Sequence, residues 1–473
     1  MSVIGSAPRS FVARIAAMGT GEFVSKAAVT LSFVYLARVL TPQVYGEVEW
    51  ALSLLMVGTL VADAGFGSWA SAHIGAHPEE APRVVAQVGW LRAALTVMTA
   101  SVLLVVAYAY GGGAGRALAV YSAALLLMPV SLGYLFNGLG RPEWAALGSA
   151  LRGAVFAGTV VWLVRAGSPS WHVALAEVAG ALALALSSVA AARFSVGLRV
   201  PVAAGRTGAL GVLGQSWRIG ASEITWGVQW YAGLILLGYL GTTTDAAWYS
   251  AGLRLVLALH TMVWLYLYVL LPGLSRSLAS NPARWRDTVE HSLRLTGWIG
   301  CGIALVGTLG ARPLLVAVFG DPFVAAVPAF RTLVWVLPIA WASGHLRYSF
   351  IAAGRARHDY HAALIGAGTT VVLTLVLTPL LRSLGAALAL VGGVATNAVV
   401  IIVLSRRVLP PVSSLASVSP GAAGCVVCLI LGAILTPVSG DLPAALVAGL
   451  LLASLALFFE RGRWSRYRTH VDF

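Results

Sequence analysis

Long apolar segments, each separated from the next by a short break, follow one another along almost the entire chain. A segment of about 20 apolar residues crosses roughly 30 Å of hydrocarbon as a single α-helix. Because 59% of the residues are hydrophobic and only 10% are charged, the composition lies far outside that of ordinary water-soluble proteins. The sequence therefore predicts an all-α integral membrane protein.

Fourteen transmembrane helices are predicted from these segments. They lie at residues 13–37, 48–70, 84–108, 117–137, 143–164, 172–193, 216–240, 246–272, 291–310, 324–350, 360–380, 384–404, 415–436 and 442–459. Twenty arginines lie in the loops on one side of these spans and five in the loops on the other side. Cytoplasmic loops retain Lys and Arg, so both termini are predicted to be cytoplasmic. This topology and contact with anionic lipids account for the net charge of +14, without nucleic acid binding.

The chain also repeats itself. The helix end and Gly-Arg turn in GLGRPEWAALGSA recur 214 residues later in AAGRARHDYHAALIGAG, which pairs Gly140 with Gly354. LTPQVYGEVEWA and LGTTTDAAWYSA form a second pair, shifted by 200 residues. Each copy holds six predicted spans, an even number, so the two copies share one orientation and are related by a pseudo-two-fold axis along the membrane normal. Two six-helix lobes with two additional C-terminal helices are the plan of a transporter.

Four regions follow from this plan. They are an N-terminal lobe of helices 1 to 6 at residues 1–194, a cytoplasmic inter-lobe linker at 195–214, a C-terminal lobe of helices 7 to 12 at 215–408, and helices 13 and 14 with a basic cytoplasmic tail at 409–473. The sequence leaves two roles open for helices 13 and 14, which are lining a groove for a lipid tail and bracing the C-terminal lobe.

Several motifs resemble one transporter family. LARVLTPQVYGEVEWALSLL followed by VADAGFGSWA, WYSAGLRL, and LLVAVFGDPFVAAVPAFRTLVWVLP followed by AAGRARHDY resemble the oligosaccharide flippase branch of the multidrug/oligosaccharidyl-lipid/polysaccharide exporter superfamily. The resemblance implies alternating-access transport of an undecaprenyl-pyrophosphate-linked oligosaccharide from the inner to the outer leaflet, for cell-surface polysaccharide assembly. It also implies contact with membrane lipids, a polysaccharide polymerase as partner and a monomeric transporter. The Arg-over-Lys bias and many alanines favour a prokaryotic cytoplasmic membrane.

Two basic residues are candidates for binding the pyrophosphate. Lys26, the only lysine, lies about twelve residues into the first span, or ~18 Å at 1.5 Å per residue. Arg254 lies in the eighth span, where the family and the more distant lipid II flippases often carry a basic cavity residue. A guanidinium fork and an ammonium group together can bind a pyrophosphate. The alternatives are an i, i+4 pair of Lys26 with Glu22 and snorkelling of Arg254 to the outer interface.

A second candidate group lies on the seventh span. Glu223, Trp226 and Trp230 share one helical face, with Gln229 alongside. The indoles and the amide are candidates for holding a sugar, and Glu223 is a candidate for carrying a coupling proton. A belt of interfacial tryptophans with a snorkelling acid is the alternative.

The energy source is predicted to be a gradient. The only lysine stands in VSKAA, so the chain has no Walker A loop, and no cofactor or metal is expected. Glu223 and Asp63 are the candidates for ion or proton coupling. Outward movement of two negative charges from a negative interior gains about 2.3 kcal/mol each per 100 mV.

Other functions fit less well. A drug or cation antiporter of the same superfamily favours an acidic cavity, whereas Lys26 and Arg254 make this one basic. A membrane polysaccharide polymerase or ligase generally needs a large outer loop, which is missing from the predicted topology, so no enzymatic activity is expected. Arg92, Arg152 and Arg347 are interpreted as snorkelling to the interface, and Arg331 as making a structural bond to helix-end carbonyls.

Overall fold

Residues 25–197 and 208–467 are described by the computed structural model of the protein, and every regular element in these ranges is a helix. The start of the first predicted span, residues 198–207 of the predicted linker and the last residues of the tail lie outside them. Among the described residues, ten segments are long and apolar enough to cross a membrane. The chain is therefore a multi-pass membrane protein, as predicted.

The helices of the first half are mostly long and separated by short turns. They are α1 (25–39), α2 (Pro42–Asp63), α3 (Phe66–Ala76), α4 (Ala81–Tyr110), α5 (Gly112–Leu125), α6 (Gly133–Gly138), α7 (Pro142–Leu163) and α8 (Trp171–Ala190). Short 3₁₀ turns lie at Pro78–Glu80 and Met128–Val130, and a π-turn at Ala191–Ser195 follows α8.

The second half begins with two helices of more than thirty residues each. The helices are α9 (Ala209–Leu240), α10 (Thr243–Ser280), α11 (Pro282–Leu309), α12 (Ala311–Phe319), α13 (Val327–Leu333), α14 (Val336–Ala352), α15 (Ala356–Val408), α16 (Ser414–Ser439) and α17 (Asp441–Tyr467). A 3₁₀ turn at Asp321–Ala326 precedes α13. The backbone of α15 leaves helical geometry at Arg382, with φ 51° and ψ −129°, between the two spans predicted for this region.

The chain divides into two compact units, Met1–Tyr231 and Ala232–Phe473, and the division falls inside α9. In the first unit α2 packs against α4 and α5, and α7 packs along α8. Trp50 of α2 is fully buried there and stacks on Tyr110, with ring centroids 3.9 Å apart. In the second unit α11 packs against α14, α16 and α17.

The second, fourth and tenth predicted spans each contain an interruption of the helix that was not predicted, although the fourth and tenth still lie within segments long and apolar enough to cross a membrane. The second breaks between α2 and α3, the fourth at the 3₁₀ turn before α6, and the tenth between α13 and α14. The prediction rested on the mean apolar character of a window, which carries no information about a local change of backbone dihedral angles. Irregular backbone at membrane depth is tolerated where protein surrounds it.

The repeated Gly-Arg turns have the same backbone geometry. Gly140 and Gly354 both have φ 67°, a left-handed value that glycine adopts without steric cost. In the first turn the Arg141 amide donates to the Phe136 carbonyl at 2.8 Å, and in the second the Arg355 amide donates to the Phe350 carbonyl at 2.8 Å. This six-residue closure is the Schellman arrangement that ends a helix.

The two C-terminal helices pack closely on α11. A Cβ added to Gly421 of α16 would lie 3.3 Å from the carbonyl carbon of Gly297, so the two backbones run side by side. On α17, Glu460 accepts a hydrogen bond from the Trp298 indole at 3.3 Å. These contacts agree with the bracing role for the two helices, and a lipid-tail groove stays a prediction.

Candidate functional site

The break between α2 and α3 brings these helices close to α9. Ala64 and Gly65 both adopt left-handed φ values, 44° and 76°. A Cβ added to Gly65 would lie 2.4 Å from the Gly220 amide nitrogen and 2.9 Å from the Ser216 carbonyl oxygen. Real Cβ atoms do not approach backbone this closely, so glycine at 65 lets α9 meet the break directly.

Asp63, at the C-terminal end of α2, forms an ion pair with Arg92 of α4. The side chain of Arg92 is buried at 7% exposure and that of Asp63 is 15% exposed, so the pair is largely shielded from solvent. Asp63 Oδ2 also accepts a hydrogen bond from the Gly67 amide at 3.3 Å, across the helix break. The pair therefore holds the start of α3 in place, and it neutralises one of the two predicted coupling acids.

Arg92 makes two further contacts that connect it to the fourth span. Its Nη1 donates to the Ser131 carbonyl at 3.1 Å, just after the 3₁₀ interruption. Its guanidinium lies over the Tyr134 ring, 4.6 Å from the centroid. The snorkelling interpretation of Arg92 was wrong, because the guanidinium points inward to an acid, a carbonyl and an aromatic face rather than outward to the interface.

Glu223 lies on α9 in the same group. The Ser68 hydroxyl of α3 donates to Glu223 Oε1 at 2.8 Å, and Glu223 also interacts electrostatically with Asp63 and Arg92. Asp63, Ser68, Arg92 and Glu223 are called the charged cluster below. The cluster contains two carboxylates and one guanidinium, and Asp63 is paired with that guanidinium. The cluster therefore has one more carboxylate than guanidinium, and Glu223 is this additional carboxylate.

The aromatic face predicted beside Glu223 is partly closed. The Trp226 and Trp230 rings are in contact, with centroids 6.0 Å apart and planes tilted by 39°. Gln229 and Trp230 are only 5% and 3% exposed, whereas Trp226 is half-buried. In this conformation Trp226 is thus the one of the three that a ligand can reach without a rearrangement.

The two predicted pyrophosphate ligands lie in different units. Lys26 is exposed near the start of α1, in the first unit, and Arg254 is half-buried on α10, in the second. Their joint binding of a pyrophosphate stays a prediction. Glu22, the alternative partner of Lys26, lies outside the described residues.

The other intramembrane arginines also point to acids or carbonyls. Arg152 pairs with Glu177, and Arg347 Nε lies 3.1 Å from Asp359 Oδ2; the two arginine side chains are about one third exposed, and their snorkelling stays a prediction. Arg331 Nε donates to the Thr308 carbonyl of α11 at 3.0 Å, which confirms its predicted structural bond.

Two sets of polar contacts in the structure were missed from the sequence. On α3, Trp69 donates through its indole to Gln215 at 3.2 Å. In the second unit a buried chain of hydrogen bonds runs through Tyr266, Ser292 and His345. Isolated Ser, Gln and Tyr residues in apolar helices give no sequence signal of their own. The Asp63–Arg92 pair could have been predicted by looking for an acidic partner for each arginine inside a span.

The comparison with protein families identifies the chain, because residues 11–278, more than half of it, match the family described as polysaccharide biosynthesis protein. The chain belongs to this family. No curated protein matches the chain.

The fold recurs in solved transporter structures. Lipid II flippase MurJ in an inward closed conformation aligns with a TM-score of 0.75 over 94% of this chain and 99% of its own, at 11% identity. An inward-facing multidrug resistance MATE family transporter of the MOP superfamily aligns at 0.67 over 81% and 94%, at 11% identity. A MOP superfamily transporter from Pyrococcus furiosus, described as having a binding pocket of reverse polarity, aligns at 0.53 over 87% and 95%, at 14% identity. The resemblance to the flippase and exporter superfamily predicted from the motifs is confirmed.

Proposed function

We propose that this protein flips an undecaprenyl-pyrophosphate-linked oligosaccharide from the inner to the outer leaflet of the prokaryotic cytoplasmic membrane, for assembly of a cell-surface polysaccharide. The observation that carries the proposal is the family match over residues 11–278 together with the fold of lipid II flippase over 94% of the chain. A polysaccharide family and a lipid-linked-sugar flippase fold both point to a saccharide carried on a lipid.

Lys26 and Arg254 are the proposed ligands of the pyrophosphate. Lys26 comes from α1 and Arg254 from α10, and both are cationic groups inside predicted spans. Charges there are costly unless they face a cavity or a partner. A pyrophosphate supplies the oxygens that an ammonium and a guanidinium both bind.

Glu223 is the proposed coupling residue. Its described hydrogen-bond partner is the neutral Ser68 hydroxyl, whereas Asp63 already has Arg92 as counter-ion. Protonating Glu223 would remove the excess negative charge of the charged cluster, while protonating Asp63 would leave a buried guanidinium without its partner. Of the two acids predicted for coupling, Glu223 is thus the one that can exchange a proton or cation at low cost.

With Glu223 as the coupling residue, the transport cycle has two steps. The lipid pyrophosphate leaves the negative interior down the membrane potential, and uptake of a proton or cation at Glu223 resets the empty carrier by alternating access. We place both termini in the cytoplasm from the arginine distribution. The proposed transporter is a monomer that contacts anionic membrane lipids and acts beside a polysaccharide polymerase.

A drug or cation antiporter is the second candidate. The fold of a multidrug transporter, at a TM-score of 0.67, and the excess acid of the charged cluster favour it. Trp226 beside Glu223 would then contact an organic cation through a cation–π interaction instead of a sugar. The two functions differ in the charge of the transported molecule, which is negative for the lipid pyrophosphate and positive for an organic cation. Transport assays with each substrate therefore distinguish them.

Flipping in proteoliposomes tests the proposal. A labelled polyprenyl-pyrophosphate oligosaccharide is reconstituted with the wild type, Lys26→Ala, Arg254→Ala and Arg254→Lys, with Arg357→Ala as a control at an exposed arginine. We expect transport by the wild type and the control, and strong loss in the two alanine variants. Arg254→Lys keeps the charge but loses the bidentate fork, so partial activity is expected. Export of organic cations with no movement of the lipid would overturn the proposal in favour of the antiporter.

A further inference from the structure

Two short helices of the first unit, α3 and α6, each begin just after an interruption of a predicted span. α3 follows Ala64, whose left-handed φ of 44° is uncommon for a residue with a side chain, and α6 follows the 3₁₀ turn at Met128–Val130. The two helices pack on each other. A Cβ added to Gly138 of α6 would lie 2.8 Å from Ile74 Cβ and 2.9 Å from the Ser71 carbonyl oxygen of α3. Because the contact is this close, a displacement of one helix displaces the other.

The buried hydrophobic residues of the first unit are divided at the same two breaks. Phe66 and Ile74 of α3 belong to one hydrophobic cluster with Leu135 and Phe136 of α6, and this cluster also includes the starts of α4 and α9. A separate cluster holds buried residues of α2, α5 and the second half of α4, from Ala100 onward. The side chains of α3 and α6 therefore pack with each other, and not within the cluster that joins α2 to α5.

Arg92 of α4 connects the two breaks. Its guanidinium pairs with Asp63, the last residue of α2, and donates to the Ser131 carbonyl at 3.1 Å, two residues before α6. It also lies over the Tyr134 ring of α6. Asp63 Oδ2 in turn accepts a hydrogen bond from the Gly67 amide of α3 at 3.3 Å. A displacement at one break is therefore transmitted to the other through a single charged side chain.

One hydrogen bond from α3 to α9 depends on the charge of Glu223. The Ser68 hydroxyl donates to Glu223 Oε1 at 2.8 Å, and a bond to an ionised carboxylate is roughly twice as strong as a bond between neutral groups. A second bond between these helices, from the Trp69 indole to Gln215 at 3.2 Å, joins two neutral side chains and is the same in either state. Neutralising Glu223 therefore weakens the first bond and leaves the second.

We propose that ionised Glu223 holds α3 and α6 in place as one pair, and that a proton on Glu223 loosens both helices together. The inference rests on the proposed coupling role of Glu223 and adds the part of the structure that responds to it. The charged groups that act on Glu223 are Asp63 of α2 and Arg92 of α4, with Tyr134 of α6 against the guanidinium. The ion pair of Asp63 with Arg92 is retained in both states, so the two breaks stay connected while the bond from Ser68 changes.

Hydrogen–deuterium exchange of the full-length protein in detergent, at one fixed pH, tests the inference. Glu223→Gln imitates the protonated acid, Ser68→Ala removes the bond, and Glu143→Gln, at an exposed acid on α7, is the matched control. We expect peptides that cover α3 and α6 to exchange about threefold to tenfold faster in Glu223→Gln, and at least as fast in Ser68→Ala. Peptides from α5, which belongs to the other cluster, should exchange as in the wild type, and so should every peptide of the control.

The double variant Ser68→Ala/Glu223→Gln should exchange no faster than Ser68→Ala, because both changes act on one bond. Faster exchange in α3 alone overturns the pairing of the two helices, and unchanged exchange in both overturns the role of Glu223 in holding them. Faster exchange in α5 as well marks a general loss of stability and also overturns the inference. The measurement requires no transport, so the expected exchange in a protein that moves no glycolipid would support the inference while overturning the proposed function.

Discussion

Gly220 of α9 lies directly against Ala64, the first residue of the break between α2 and α3. A Cβ added to Gly220 would come within 2.3 Å of the Ala64 carbonyl carbon and 2.4 Å of its oxygen. Gly65 is equally close to Gly220 from the other side of the contact. Two helices can approach this closely only where both lack a side chain. The charged cluster is therefore built around a contact between two glycines.

Substituting Gly220 should destabilise the protein through this contact. Gly220→Ala overpacks the site, and we expect a loss of about 1 to 3 kcal/mol in the free energy of unfolding. Gly214→Ala on the same helix is the matched control, because a Cβ there meets nothing within 4 Å. Helix propensity alone favours alanine over glycine by about 1 kcal/mol, so the control should be neutral or stabilised. Thermal unfolding in detergent measures both, and equal stability of the two variants would contradict the close contact.

Removing Arg92 should be among the most damaging changes in the first unit. Arg92→Gln leaves Asp63 as a buried charge without its partner, which costs about 3 to 5 kcal/mol. The double variant Arg92→Gln/Asp63→Asn removes both charges and should recover much of this loss. Arg357→Gln, at an exposed arginine, serves as the control and should unfold like the wild type. The measurement is the unfolding temperature of the wild type, Arg92→Gln, the double variant and Arg357→Gln. A double variant no more stable than Arg92→Gln would contradict the neutralising ion pair.

Replacing Glu223 should uncouple transport without removing it. Glu223→Gln keeps the shape and can still accept from Ser68, but it cannot take up a proton. We expect flipping that no longer responds to an imposed pH gradient or cation gradient. Asp63→Asn should instead lower stability, and Glu143→Gln, an exposed acid on α7, should match the wild type. Transport measured in proteoliposomes with and without each gradient is the assay, and a full gradient response in Glu223→Gln would exclude Glu223 as the coupling residue.

Replacing Trp226 should weaken binding of the glycolipid headgroup, whereas replacing a tryptophan exposed on the protein surface should not. Trp226→Ala removes the half-buried ring beside Glu223, and we expect the apparent KM for the glycolipid to rise about tenfold, the equivalent of 1.4 kcal/mol. Trp162→Ala is the control, because the Trp162 side chain is 75% exposed on α7. Initial flipping rates over a range of substrate concentrations give the KM. Equal effects of the two substitutions would assign Trp226 a general role in membrane packing.

The sequence was sufficient for the features that depend on local patterns. The apolar segments predicted the helical membrane protein, and the repeated Gly140 and Gly354 turns were recognised from their residues alone. The break at Ala64 was not foreseeable, because it depends on the approach of Gly220 from 156 residues away in the chain. A hydropathy window records no such contact.

The site was predicted in its residue types but not in its pairings. Asp63, Glu223 and Trp226 were singled out because polar and aromatic groups in apolar helices are unusual. Arg92 was judged alone, from its depth in the span, so its partner was missed. Which acid neutralises which base depends on how distant helices pack, and this packing carries no signature in a single sequence. The same limit applies to Ser292 and His345.

The order in which the ribosome makes the charged cluster has a consequence for insertion into the membrane. Asp63 and Arg92 lie in the first quarter of the chain, so their opposite charges can neutralise each other while the rest of the protein is still being synthesised. Glu223 emerges more than a hundred residues later, on a helix that reaches a Ser68 already in place. The helices α2 and α4 can therefore pair Asp63 with Arg92 before α9 is made, and Glu223 joins the charged cluster last.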